Sequence, residues 1–256
     1  MNLELNNQLF LVGGATSGFG KAVAEALMNE GARVIVVARG KEKLQQQYAT
    51  ESLAEMIDGD ITQHETIELI KKVVGNRQLH GILVNAGGPP AKTVLETTLE
   101  DWDDAYQKIL RWKVELTQAF VPAMMKAGYG RIVYVESTSV KQPIENLVLS
   151  TSLRLAVVGM MKTLSQEIAK SGVTLNVLAP GSHSTPAIDR LYVKKSEQTG
   201  LPFDEVKKNA IQQIPVGVLG DASDFASLAV WLLSKYSSYI TGQTITVDGG
   251  MVRGTL

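Results

Sequence analysis

Residues 34–37 read Val-Ile-Val-Val, a continuous β-branched run with no polar side chain to offer water. Such a strand must be covered on both faces, which is the condition of a strand inside a parallel sheet with helices on each side. Short apolar runs recur at 9–12, 55–57, 81–84, 132–135, 173–178 and 244–247. Between them helical spacing takes over: Ala22, Val23, Ala26 and Leu27 share one side from Lys21 onward, and 61–74, 103–127, 151–169 and 223–233 continue the pattern. The alternation specifies an α/β fold, a Rossmann-like doubly wound parallel sheet with right-handed crossovers and helices on both faces. No repeat or linker interrupts residues 1–256, so one domain is expected.

Composition narrows the function classes. A net charge of −1 with dispersed lysines provides no field for a nucleic-acid backbone, so the expected partner is a small molecule. The absence of cysteine excludes disulfides and thiol catalysis, and His64, His80 and His183 are too scattered to form a metal set. No basic leader or membrane-length apolar run is present, which predicts a soluble cytoplasmic protein with no membrane partner. Leu153, Leu155, Ala156, Val157, Val158, Met160, Met161 and Leu164 spread around most of one helix, and Ile109, Trp112, Val114, Leu116 and Phe120 do the same in the helix before it. One sheet face cannot bury them all, so a homo-oligomer, a dimer or homotetramer built through these two helices, is expected.

The first strand runs directly into Gly13-Gly14-Ala15-Thr16-Ser17-Gly18-Phe19-Gly20 and then a helix. Backbone amides at such a turn, together with the positive end of the helix, can receive a pyrophosphate. A tight βα turn with no ligand would show the same glycines, so their place after the first strand carries the weight.

With these residues the chain resembles the short-chain dehydrogenase/reductase family along essentially its whole length. Gly14, Gly18 and Gly20 match the family's T-G-x-x-x-G-x-G, with Gly13 where Thr is usual. Asp60, followed by Ile61, matches the family acid that contacts adenine, and Asn85-Ala86-Gly87 matches most of N-N-A-G, with Val84 in place of the first Asn. Pro180-Gly181, His183 and Thr185-Pro186 resemble the nicotinamide-side loop, and Tyr239-Ile240-Thr241-Gly242 with Val247-Asp248-Gly249-Gly250 resembles the C-terminal segment. The resemblance implies a nicotinamide cofactor held by Gly14, Thr16, Ser17, Gly18, Phe19, Gly20, Asp60, Ile61, Asn85, Ala86, Gly87, Pro180, Gly181, His183 and Thr185. At the end of the second strand stand Ala38 and Arg39. An acid there would bond the adenine ribose and repel a 2′-phosphate, whereas a guanidinium pairs with phosphate, so NADP(H) is expected over NAD(H).

The resemblance also places four catalytic positions, Ser, Tyr, Lys and an upstream Asn. They fall on Ser137, Ser150, Arg154 and Ile109, of which one carries the family's residue. A serine hydroxyl without a base is a far weaker acid than a phenol, and arginine does not surrender its proton. Arg154 lies one helical turn from Ser150, where it can hold ribose hydroxyls or face a developing oxyanion, and Ser137 and Ser150 can donate neutral hydrogen bonds. Lys113, four residues after Ile109, is expected to project into the space of the absent Asn. Tyr134 and Glu136 alternate with Val135 and Ser137 along the strand, so they are expected to point away from Ser137's side and are discounted as acids. Residues 186–213, which contain Tyr192, resemble a substrate lid. The expected activity is hydride transfer between NADP(H) and a carbonyl or conjugated C=C substrate through an altered site. A nucleotide-binding sensor or scaffold without turnover, and a redox-neutral enzyme that retains its cofactor, stand as alternatives.

Overall fold

The uninterrupted apolar runs become strands whose successive side chains enter two different cores. In the computed structural model, which describes residues 2–255, Leu9 and Leu11 of strand β1 (Leu9–Gly13) join one apolar cluster while Phe10 and Val12 join the other. Strands β2 (Arg33–Ala38), β3 (Ala54–Asp58), β4 (Gly81–Val84), β5 (Gly130–Val135), β6 (Val173–Pro180) and β7 (Thr244–Val247) complete a seven-stranded sheet. Its order is β3-β2-β1-β4-β5-β6-β7 and every neighbouring pair is parallel. Leu11 pairs with Ile35 on one side and Ile82 on the other, so the strand order reverses between β1 and β4. The crevice beyond the strand ends at such a reversal is where open α/β sheets bind ligands.

On one face lie α1 (Gly18–Asn29), α2 (Lys41–Tyr48) and α9 (Ala222–Leu233), which bury Val23, Leu27, Leu44, Tyr48, Phe225 and Leu233. On the other lie α3 (His64–Val74), α5 (Trp112–Ala127) and α6 (Val148–Glu167), with Ile67, Ile70, Trp112, Leu116, Val157 and Met161 in the core. Helix α4 (Leu99–Tyr106) runs into α5 through a π-turn at Gln107–Arg111, and α7 (Pro186–Thr199) and α8 (Phe203–Gln212) follow β6. No helix among the described residues is long and apolar enough to cross a membrane.

All seven expected strands form, and the helix boundaries shift for local reasons. The helix expected from residue 61 starts at His64, because Asp60 Oδ1 accepts from Thr62 N at 3.0 Å and from Thr62 Oγ1 at 2.8 Å, holding a turn first. The helix expected from 103 starts at Leu99, where Thr98 and Asp101 cap each other's backbone amides. The π-turn alters the spacing ahead of Lys113, yet Ile109 and Lys113 are both buried.

Candidate functional site

The glycine turn is built by close approach. Asn85, just beyond β4, donates from Nδ2 to Gly13 O at 3.0 Å. A Cβ at Gly14 would stand 2.7 Å from that same Nδ2, and Gly14 itself has φ +63°. A Cβ at Gly20 would stand 2.3 Å from Gly14 O, so only glycine lets α1 start against the turn. The turn is held from outside by α2: Gln47 donates to Thr16 O at 3.0 Å, and the buried Tyr48 hydroxyl donates to Ala15 O at 2.6 Å. Ser17 precedes α1 in extended conformation, and its side chain makes no cap bond to the amides of the first turn.

Two distant segments meet this turn, and a third pairs with one of them. Ile61 is buried with its Cδ1 3.0 Å from where a Gly13 Cβ would lie. Thr185, at the start of α7, reaches Gly18, whose Cβ would meet Thr185 Cγ2 at 3.4 Å. Arg39 at the end of β2 lies 3.6 Å from Asp60 through Nη1 and Oδ2, with its side chain 78% exposed. Gly181 donates to Val247 O at 2.9 Å, which ties the loop after Pro180 to β7. His183 is buried against the rings of Phe19, centroids 5.0 Å apart, and Phe225 at 6.4 Å, with Gly220 packed on its edge. Its imidazole is thus a packing group that braces the start of α1.

The second cluster lies where β5 ends. Glu136 points away from Ser137, as strand alternation requires, but that direction leads between α5 and α6 and not out of the site. Its Oε1 accepts from Lys113 Nζ at 2.5 Å and its Oε2 from Arg154 Nη1 at 2.8 Å. Glu136 thus enters as an acceptor and not as an acid: its carboxylate joins two of the expected residues. Arg154 also donates from Nε to Ser150 Oγ at 3.0 Å and from Nη1 to Val135 O at 3.2 Å. The side chains of Lys113, Glu136 and Arg154 are 3%, 0% and 10% exposed. Burial pulls the Lys113 ammonium down to about 8 with Arg154 adding to the effect, while Glu136 opposes it. Tyr134, on the same side of the strand, shares a hydrogen bond with Thr117 Oγ1 at 2.8 Å, and burial pushes its phenol up.

Ser150 accepts from Arg154 and retains its own O–H to donate. Ser137 accepts from Ser139 N at 3.1 Å and likewise keeps its O–H, and no hydrogen bond joins it to Ser150 or Arg154 among the described residues. The two clusters are connected by one stretch of chain: Asn85 touches the glycine turn, Ala86 packs on the core, Gly87 has open space at its Cβ position, and a Cβ at Gly88 would lie 3.3 Å from Arg154 Nη2. Tyr192 is buried in α7 beside Phe203, and Lys194 in the same helix donates to Ala91 O at 2.5 Å, fastening α7 to the loop after β4.

Comparison with known proteins agrees with this architecture. The model of a family described as enoyl-(acyl carrier protein) reductase matches residues 14–252. A 3-oxoacyl-(acyl-carrier-protein) reductase of Vibrio cholerae is 32% identical, with 98% of this chain and 99% of that protein covered. The enzyme of the same name from Thermotoga maritima is 32% identical over 98% of this chain and 100% of its own length. Among solved structures, an actinorhodin polyketide ketoreductase variant with NADPH superposes with a TM-score of 0.90 at 28% identity, covering 97% of this chain and 98% of that one.

Proposed function

The chain belongs to the short-chain dehydrogenase/reductase family and is an oxidoreductase of that type, and from that premise we propose that it transfers a hydride between NADP(H) and a carbonyl or conjugated C=C substrate. The glycine turn fits a dinucleotide: four positions without side chains bring backbone amides and the start of α1 to one crevice. In this reading Gly14, Thr16, Ser17, Gly18, Phe19 and Gly20 hold the pyrophosphate, and Asp60 and Ile61 flank the adenine. Asn85, Ala86 and Gly87 line the middle, and Pro180, Gly181, His183 and Thr185 form the nicotinamide side. Arg39 meets the 2′-phosphate. Its pairing with Asp60 is long and solvent-exposed, so releasing it costs little.

The bound nicotinamide supplies the hydride. What the chain supplies is charge and orientation at the accepting oxygen, and the observation that carries the reading is the three-point fixation of Arg154 by Ser150, Val135 O and Glu136. A guanidinium so restrained can stabilise an alkoxide or enolate oxygen without reorganising during reaction. Ser150 and Ser137 donate their hydroxyl protons as hydrogen bonds to that oxygen. As negative charge develops on that oxygen these three side chains would hold it, and water would return the proton. Lys113 and Glu136 are positioning residues, because Lys113 Nζ is bonded to Glu136 and Glu136 in turn orients Arg154. The Ser150 and Arg154 pair thus replaces the phenol and ammonium of the family pattern.

Two further features of the reading concern assembly and access. An apolar groove between α5 and α6, lined by Val114, Gln118, Gly159, Met160 and Leu164, supports a homo-oligomer, a dimer or tetramer, formed through those helices. The fastening of α7 through Lys194 supports residues 186–213 as the substrate lid, and the cytoplasm is the compartment proposed. The test is an equilibrium titration with NADPH and NADH by nicotinamide fluorescence, followed by turnover of matched ketones and enones. Selective NADPH binding, with turnover lost in Arg154→Ala and reduced in Ser137→Ala, is expected. Failure to bind either cofactor, or unchanged turnover in both variants, overturns the proposal.

A further inference from the structure

The buried cluster at the end of β5 contains two cations and one anion. Lys113 Nζ and Arg154 Nη1 divide the two oxygens of Glu136 between them, at 2.5 and 2.8 Å. The Trp112 ring, which carries no charge, lies 5.6 Å from Nζ. Among the described residues, Glu136 is the one carboxylate within ion-pair distance of Lys113 or Arg154. One positive charge is therefore uncompensated in a desolvated place, a costly arrangement unless a counter-charge arrives from elsewhere.

The surplus can be reached at only one end. Lys113 and Glu136 are sealed, whereas Arg154 keeps 10% of its side chain exposed. Its Nε and Nη1 are engaged, and Nη2 has no hydrogen-bond partner among the described residues. Nη2 faces Gly88, where a side chain would stand 3.3 Å away, so the loop is at its smallest beside this donor. A guanidinium edge with an unused donor over uncompensated positive charge suits an anionic oxygen group. We infer that the substrate of this site carries a fixed negative charge, a carboxylate, that lies against Arg154 Nη2 beside Gly88, one N–H of Nη2 taking the carboxylate and the other remaining for the reacting oxygen. The inference rests on the reading of Arg154 as the residue that faces the substrate. A neutral ketone or enone would leave the charge of Lys113 and Arg154 unmatched, and an acidic substrate would match it.

The probes are acetate and its neutral isostere acetamide, titrated by NMR at constant ionic strength onto the protein with and without NADPH. Both are small enough that shape does not decide the outcome. Saturable acetate binding at pH 7, at least about tenfold tighter than acetamide, is expected. The preference should shrink to near parity in Arg154→Gln and in Lys113→Met, which leaves Glu136 and Arg154 as a neutral pair. It should also shrink in the unaltered protein above about pH 9, where Lys113 has lost its proton. Equal affinity for the two probes overturns the inference, as does no saturable acetate binding to about 100 mM, or a preference untouched by both Lys113→Met and high pH. The proposed hydride transfer fails separately: an acetate preference without NADPH binding sinks that reading and leaves the anion site standing. NADPH binding without an acetate preference sinks the anion site alone.

Discussion

The glycine turn and the β5 cluster lie at the same edge of the same sheet, joined by residues 85–88, and are built on opposite principles. The turn works by leaving side chains out: Gly14 and Gly20 admit Asn85 and the start of α1 so closely that no Cβ fits. The cluster works by bringing charged side chains in, from α5, β5 and α6, and sealing them from water. Backbone amides carry no cost of burial once a ligand or water satisfies them, whereas buried ions stand or fall with their partners. The first region should therefore tolerate no added atom, and the second should tolerate no removed partner.

Removing the partner is the harshest way to break this comparison. Glu136→Ala leaves Lys113 and Arg154 facing each other without a counter-ion, and a loss of about 3–5 kcal/mol in unfolding free energy is expected by chemical denaturation. Glu136→Gln keeps the shape and should fall between that variant and the unaltered protein. A loss in Glu136→Ala no greater than an ordinary surface change would show that water reaches the cluster. Adding an atom to the turn comes next. Gly20→Ala places a methyl 2.3 Å from Gly14 O and 2.6 Å from Gly13 O, and backbone must shift to admit it. The expected cost is about 1–3 kcal/mol in stability. NADPH affinity should fall by at least about a hundredfold if the displaced amides are the pyrophosphate surface proposed above.

The two regions also differ in how far they can be read from sequence. The strands and the turn are legible because full apolar runs admit few alternatives and because a glycine string after a first strand is local information. Helix α2 is not, since Lys41–Tyr48 is mostly polar and offers only Leu44 and Tyr48 to the core. The orientation of Glu136 follows from alternation, but its meaning does not, because what lies on that side of β5 is decided by how α5 and α6 pack. A charged residue directly after the run 132–135, with Lys113 and Arg154 each on a helix of apolar character, is the signal that was available. His183 shows the reverse case. A loop imidazole suggests chemistry, and only the fold reveals that Phe19 and Phe225, distant in sequence, enclose it.

A smaller effect sharpens the charge count. Lys113 titrates at about 8 in the folded protein, below the ordinary lysine value of 10.5. Between those values the unfolded chain holds a proton that the folded chain has released, so stability rises with pH, by at most about 1.4 kcal/mol per pH unit. Below the folded value the cost of the charged ammonium is fully present. The buried phenols of Tyr48 and Tyr134, both pushed up, begin to oppose this once unfolded tyrosine ionises near pH 10. Comparing unaltered protein with Lys113→Met from about pH 7.5 to about 9.5 isolates the lysine, and the rise should be confined to the protein that has it. Parallel profiles would mean that Lys113 stays charged throughout and that its pairing with Glu136 outweighs burial.

The smallest stability effect is expected at the rim of the turn, where charge is used in water. Arg39 is 78% exposed and 3.6 Å from Asp60, so Arg39→Ala should change unfolding free energy by no more than about 0.5 kcal/mol. Its consequence should appear in cofactor choice, as a fall of roughly tenfold in the NADPH to NADH affinity ratio, with NADH affinity itself little changed. The salt dependence of NADPH binding should weaken in the same variant, since an exposed phosphate contact is screened as ionic strength rises. A variant that loses both cofactors equally would instead place Arg39 in the support of Asp60 and the adenine side, and the buried cluster would then be the only part of this edge where charge selects a ligand.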